Sequence, residues 1–297
     1  MVAGAGIRAP LSVPAIDTHV HFYDPTRPQG VPWPAPSNTQ LYQRHLPERL
    51  RPVLAPHRVV GVVVVEASAW LEDNQWLLDL AANEDMIVGI VGRLSPGQPG
   101  FAAQLDRFSV HTLFCGIRLR GADIREIGPG ALLDDLRLLA ARGRAVDLLG
   151  KGDMLRDVAA LARRLPELRL VVDHLPFGEF DDNLAALRAA WAPLAALPRV
   201  YVKVSAVARR IDGRVITDPA YYRASLDVIF DLFGPKRVIY ASNWPVSELV
   251  APYDVVHSIV ADYFGARGRA VAEDFFWRNS HAAYRWQGRG AAAALQP

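Results

Sequence analysis

Ala15-Ile16-Asp17-Thr18-His19-Val20-His21 is a short apolar run that ends in three polar, chemistry-bearing side chains at alternate positions. In an extended chain, residues two apart share a face, so the spacing places Asp17, His19 and His21 together and turns Thr18 and Val20 away. Seven further runs of the same buried-strand type follow: Val59–Val65, Met86–Val91, Leu113–Leu119, Arg144–Leu149, Leu168–Asp173, Val200–Val204 and Val238–Ala241. They lack strict alternation, as strands covered on both faces do. Their starts lie 24 to 44 residues apart, the spacing of strand–helix units and not of hairpins.

Most intervals carry apolar residues at helical spacing, and helices are expected over Glu72–Ala82, Leu132–Ala141, Leu155–Leu165 and Tyr221–Phe233. Tyr253–Phe264 and Ala270–Tyr284 extend the helical pattern past the eighth run. Eight strands with intervening helices predict an α/β fold, a single (β/α)8 TIM barrel. A doubly wound sheet wants a Gly-rich turn after its first strand, and no G-x-G-x-x-G stands there. Gly150-Lys151-Gly152, after the fifth run, is the nearest thing to a phosphate cradle.

The 297 residues are 51% hydrophobic and 22% charged, enough apolar material for one large core. A formal net charge of +2 gives no reason to expect nucleic acid or an anionic membrane as partner. Cys115, the only cysteine, excludes an internal disulfide and lies in the apolar stretch Leu113–Ile117, which predicts a buried inert thiol. Val59–Val65 is too short to span a bilayer, and Met1–Val13 lacks the apolar core of a signal peptide. The expectation is a cytoplasmic protein with a small-molecule substrate, for which a homo-oligomer is compatible. The barrel should occupy 14–287, with tails at 1–13 and 288–297.

Between His21 and Val59 the chain holds five prolines (Pro25, Pro28, Pro32, Pro34 and Pro36) with Phe22, Tyr23 and Trp33. A long connection at the C-terminal end of a barrel strand usually builds or covers the active site, so a partial lid is expected there.

His19 and His21 close the first strand and His174 closes the sixth, so three imidazoles converge on one end of the barrel. Such a set admits Zn2+ with an open position for water, and it equally admits no metal at all. Glu66 follows four valines and needs a partner or a role, since a carboxylate is costly to bury. Asp147 has a weaker claim of the same kind, and Asp17 is placed to orient an imidazole ring. Arg118 and Arg120 end the fourth strand, where a guanidinium suits a carboxylate. Lys203 shares a face with Tyr201 and Ser205, opposite three valines, and is expected at the barrel mouth polarising a carbonyl. Trp70, Trp76 and Trp244 are candidates for stacking on a substrate ring. His45, His57, His111, His257 and His281 are scattered and receive no role.

The residues Ile16–Phe22, Gly116-Ile117-Arg118, Val172-Asp173-His174, Val202–Ser205 and Ala241–Val246, closing with Asn279 and Tyr284, resemble the amidohydrolase superfamily. Within it they resemble the branch of sugar-lactone and 2-pyrone-4,6-dicarboxylate hydrolases. The resemblance runs through nearly the whole chain in order, and implies a distorted (β/α)8 barrel with His19, His21 and His174 in the active site. It departs at Asn243, where the family usually has an aspartate acting as general base. An amide does not accept a proton at neutral pH, so that role is not carried over. With the fifth strand offering no histidine, one metal or none is implied. Three functions stay open: a hydrolase opening a lactone or cyclic ester, a metal-dependent decarboxylase or hydratase, and a non-catalytic binding protein.

Overall fold

In the computed structural model, which describes residues 13–295 except 126, 151, 176–178 and 181–182, the eight runs form one parallel sheet. Its strands are β1 (Ala15–Val20), β2 (Val59–Val65), β3 (Ile87–Gly92), β4 (Phe114–Arg120), β5 (Ala145–Leu149), β6 (Arg169–Val172), β7 (Val200–Val204) and β10 (Val238–Tyr240). They pair in chain order, and a two-stranded hairpin of β8 (Arg210–Ile211) and β9 (Arg214–Val215) interrupts the last crossover. The ring closes where Val20 pairs with Trp244: Asn243 N–H donates to His19 O at 2.9 Å and His21 N–H to Trp244 O at 2.9 Å. The expected TIM barrel is therefore the fold.

The described residues form ten α-helices: α1 (Pro47–Leu54), α2 (Glu72–Ala82), α3 (Phe101–Ser109), α4 (Ala131–Ala141), α5 (Leu155–Arg164), α6 (Leu184–Ala195), α7 (Arg223–Phe233), α8 (Tyr253–Gly265), α9 (Arg269–Glu273) and α10 (Asn279–Tyr284). A π-helical turn, Asp274–Arg278, joins α9 to α10 into one helical stretch. The expected helices are present, while α1, α3 and α6 add to them. Pro47 and Pro52 hide α1 inside the Pro-rich connection: Pro47 is well placed in the first helical turn, while Pro52 stands inside the helix, where proline is normally disfavoured.

Two apolar layers hold the barrel. Outward residues such as Val62, Val64, Ile87, Ile117 and Leu119 pack beneath the helices. Inward residues such as Ile16, Val63, Val65, Cys115 and Val171 fill the lumen toward its N-terminal end, with Tyr284 and Trp286. The Cys115 thiol is buried, and burial pushes its pKa up to about 12, so it is inert. Of the expected tail 288–297, the described part, 288–295, instead turns back under the barrel: Ala292 is buried against Gly61. Residues 1–12 of the expected N-terminal tail lie outside the described residues. Among the described residues, no helix is long and apolar enough to cross a membrane.

A bulge in β1 corrects the simple alternation. Asp17 pairs with Val62 and Val20 with Val64, so three steps on β1 face two on β2. Asp17 consequently turns toward α8, where Tyr253 Oη donates to its carboxylate at 3.0 Å. It also accepts the backbone N–H groups of Ser242 and His19, and orients no imidazole.

Candidate active site

The strand ends converge at the C-terminal mouth. His19 sits at the centre, its ring centroid 4.8 Å from that of His21 and 4.6 Å from that of His174. His174 and Asn243 both adopt left-handed backbone (φ 62° and 64°), which turns the chain sharply out of the barrel wall after β6 and β10. Asparagine tolerates that conformation, while histidine there costs of order 1–3 kcal/mol, strain of the kind that accumulates at functional sites.

Hydrogen bonds fix the rings. His21 Nδ1 lies 2.9 Å from Val65 O, so it donates and leaves Nε2 with a lone pair. That Nε2 lies 3.2 Å from Nε2 of His19. On the opposite edge of His19, Nδ1 lies 3.0 Å from Lys203 Nζ and 3.4 Å from Asp173 Oδ1. His174 Nδ1 reaches Ser205 Oγ at 3.1 Å.

All three imidazoles are neutral at physiological pH. Burial, then the charge of Arg118, brings His21 to about 3; burial, helped by Lys203 and Arg118 and opposed by Asp173, brings His174 to about 4. Burial and the neighbouring Lys203 hold His19 well below the usual histidine range.

Lys203 is not at the mouth. It is wholly buried, with Nζ 2.5 Å from Asp147 Oδ2 and 2.9 Å from Asp173 Oδ1. Burial would push its ammonium down, but the two carboxylates overcome this and hold it above the usual lysine range. Burial likewise opposes ionisation of Asp173, where Lys203 and His19 win and hold the carboxyl well below the usual range. Burial prevails at Asp147, raised to about 7 against the pull of Lys203. Tyr284 Oη donates to Asp147 at 2.7 Å and completes this buried cluster. Lys203 therefore acts on His19 from behind and polarises no substrate carbonyl.

Glu66 ends β2 beside the carbonyl that holds His21. Arg118 clamps it, Nε donating to Oε1 at 2.9 Å and Nη2 to the Glu66 carbonyl at 2.5 Å. Burial raises the Glu66 pKa despite that guanidinium. Arg118 is thus engaged within the protein, while Arg120 is exposed at the rim. Trp244 is entirely buried, its Nε1 donating to Glu248 at 2.9 Å, so it stacks on no ligand. Its neighbour His45 is packed between Trp244 and Tyr23.

The Pro-rich connection covers the mouth, as expected of a lid. Tyr23 and His45 pair through two backbone hydrogen bonds of 3.0 Å and pinch its base. Arg27 anchors it to α2 with a two-pronged ion pair to Asp73, at 2.9 and 3.1 Å, and lies over Trp76. Trp76 is committed to that contact and Trp70 is exposed on the rim. At the centre of the lid Trp33 meets His21 edge-on, with centroids 5.8 Å apart, and remains 36% exposed. Beneath it, a cavity of about 10 Å3, room for one water, is lined by Glu66, Tyr23 and Ser68.

Two places on the inner wall could hold a cation. The ligand atoms of His19, Asp147 and Asp173 lie within 4.8 Å of one another, but the Lys203 ammonium already occupies the space between them. The paired Nε2 atoms of His19 and His21 fit better. Two nitrogens about 2.0–2.1 Å from a tetrahedral zinc stand about 3.3 Å apart, close to the 3.2 Å found. That arrangement needs the His19 proton on Nδ1, facing the Asp173 carboxylate, which otherwise lacks a well-directed hydrogen bond. His174 is the third imidazole of the set.

The sequence gives the buried Asp173 no role beyond its place beside His174, and Trp33 none beyond membership of the expected lid. Asp173 carries the same signal as Glu66, a carboxylate closing an apolar run.

A family model described as amidohydrolase matches residues 16–286. An L-fucono-1,5-lactonase from Burkholderia multivorans is 31% identical over 294 residues, covering 90% of this chain and 94% of the relative. Among solved structures, an amidohydrolase from B. multivorans with bound zinc superposes with a TM-score of 0.81 at 29% identity, covering 92% of this chain and all of that one. Amidohydrolase 2 from Bifidobacterium longum subsp. infantis superposes with a TM-score of 0.71, also at 29% identity, over 93% of this chain and all of that one.

Proposed function

Because the chain belongs to the amidohydrolase family and is a hydrolytic enzyme, we propose that it opens a sugar lactone of the aldono-1,5-lactone type to the hydroxy acid. The observation that carries this reading is the mouth itself: three neutral imidazoles, a buried carboxylate of raised pKa and a guanidinium, all under an aromatic lid. The relative named for L-fucono-1,5-lactone covers nearly the whole chain and adds the substrate class.

His19 and His21, through Nε2, and His174 would hold a divalent metal such as zinc. When bound, it supplies Lewis-acid polarisation of the ester carbonyl and of water. The protein's own groups do the rest. Glu66 takes the proton of the attacking water and returns it to the ring oxygen as the carbonyl–oxygen bond breaks. Burial suits it to this exchange, since a raised pKa makes its carboxylate a better base. Arg118 orients Glu66 and presents its remaining N–H groups to the developing oxyanion. Asn243 serves as a hydrogen-bond donor at the rim in place of a base. Trp33 offers its face to the apolar side of the sugar ring and sheds water from the site.

The experiment is acid release from a panel of aldono-1,5- and 1,4-lactones, assayed with metal content and with a chelator arm. Saturable turnover of a sugar lactone is expected. A correctly folded protein that opens no lactone, with or without added zinc, overturns the reading.

A further inference from the structure

A groove of 670 Å3 opens at the ends of β4 and β5, beside the strand that carries His174. Trp33 forms part of its wall, and Trp33 is also the residue in contact with His21. The groove therefore begins where the catalytic mouth ends, and its size suits a small ligand.

Three guanidiniums line it: Arg120 from the end of β4, Arg125 after the following turn, and Arg156 from the first turn of α5. Many other surface arginines are matched with acids, as in Arg51–Glu84, Arg107–Glu72, Arg137–Asp134 and Arg142–Asp106. Among the described residues, none of the three groove arginines has such a partner. Asp123, the acid nearest in sequence to Arg120 and Arg125, is taken by Arg93 at 2.9 Å and by the backbone N–H of Arg120 at 2.7 Å. Asp153 and Asp157 also line the groove, yet among the described residues neither pairs with a guanidinium. The N-terminal end of α5 adds the positive end of a helix dipole. The charge of Arg120 reaches the catalytic centre, where it lowers the Glu66 pKa along with Arg118 and Arg93.

We propose that this groove binds an oxyanion, carboxylate or phosphate, carried by the substrate at the end remote from its ester. The inference rests on the lactone reading and narrows it from neutral sugar lactones to anionic ones. The ester lies under Trp33 against His21, and the anionic end extends between Arg120, Arg125 and Arg156.

The test compares kcat/KM for a neutral aldonolactone, an aldaric monolactone and a phosphorylated aldonolactone, using wild type and Arg125→Gln/Arg156→Gln. Wild type should favour at least one anionic lactone by about tenfold or more, as charge-assisted hydrogen bonds imply. The ratio should approach one in the double variant and fall with ionic strength. Preference for the carboxylate or for the phosphate identifies the anion. A neutral lactone used as well as both anionic ones, or a preference that survives the double substitution, overturns the proposal. Calorimetry with glucarate and with a sugar phosphate separates the two levels of argument. Should no lactone turn over, binding lost in the double variant still supports the groove, and no binding to wild type overturns it.

Discussion

The ammonium of Lys203 lies 3.0 Å from Nδ1 of His19, on the ring edge opposite the nitrogen that faces His21. Because an ammonium only donates, this contact makes Nδ1 an acceptor and puts the His19 proton on Nε2, toward the lone pair of His21; a cation held by the two Nε2 atoms would require that proton to move to Nδ1, toward Asp173. Lys203, His19, His21 and Val65 O thus form one directed chain of hydrogen bonds from the buried acids to the mouth. Lys203→Met would leave Asp147 and Asp173 buried without a counter-charge. A loss of about 3–5 kcal/mol is expected in chemical denaturation, with part of it recovered in Lys203→Met/Asp147→Asn. A single substitution within about 1 kcal/mol of wild type would contradict this cage.

Stability should fall as pH is lowered through the weakly acid range. His21 is held at about 3, and His174, His45 and His257 at about 4, burial being the leading cause in each. In the unfolded chain they titrate near 6.5. Between about pH 6.5 and 4 the unfolded state binds protons that the folded state refuses, so protonation favours unfolding. Asp147, raised to about 7, works in the opposite direction, as do Asp17 and Glu66, which burial also raises, while His19 and Asp173, both held well below their usual ranges, add to the effect of the histidines. The melting temperature is expected to be lower at pH 5 than at pH 7. A flat or rising profile on acidification would count against the neutral histidine cluster.

The two tryptophans near the mouth should separate cleanly. Trp244 is fully buried, so Trp244→Ala should cost about 3–5 kcal/mol. Trp33 is over one-third exposed, so Trp33→Ala should leave the melting temperature within a few degrees and raise KM for the lactone about fivefold. Unchanged KM would remove Trp33 from the substrate's surroundings.

Asn243→Asp should fold normally, because both residues tolerate the left-handed backbone found there. If Glu66 is the proton acceptor, a second carboxylate adds nothing and kcat/KM should not rise. A tenfold increase would move the general base from position 66 to position 243.

The barrel was legible because eight apolar runs at strand–helix spacing admit few other topologies, and β1, β2 and β7 have the bounds read from sequence. The alternation rule failed at Asp17 because a single inserted residue in β1 reverses which face a side chain takes. The strand phase of Lys203, opposite three valines, predicts an inward side chain at the mouth, and tertiary pairing with Asp147 and Asp173 instead makes its burial in the lumen affordable. Those acids stand 56 and 30 positions away in the chain, a relationship that no local pattern carries. Trp33 and Trp244 differ in exposure for a similar reason: Trp33 is carried on the lid and stays partly exposed, while the closing strand pair engulfs Trp244.

The most direct test of lactone opening at this mouth is the initial rate of acid release from an aldono-1,5-lactone by wild type and by Glu66→Gln, with folding of both verified. Saturable turnover by wild type and a loss of about 10²–10⁴-fold in kcat for Glu66→Gln are predicted. Equal rates for the two proteins would contradict the account, since the proton would then be moving without Glu66.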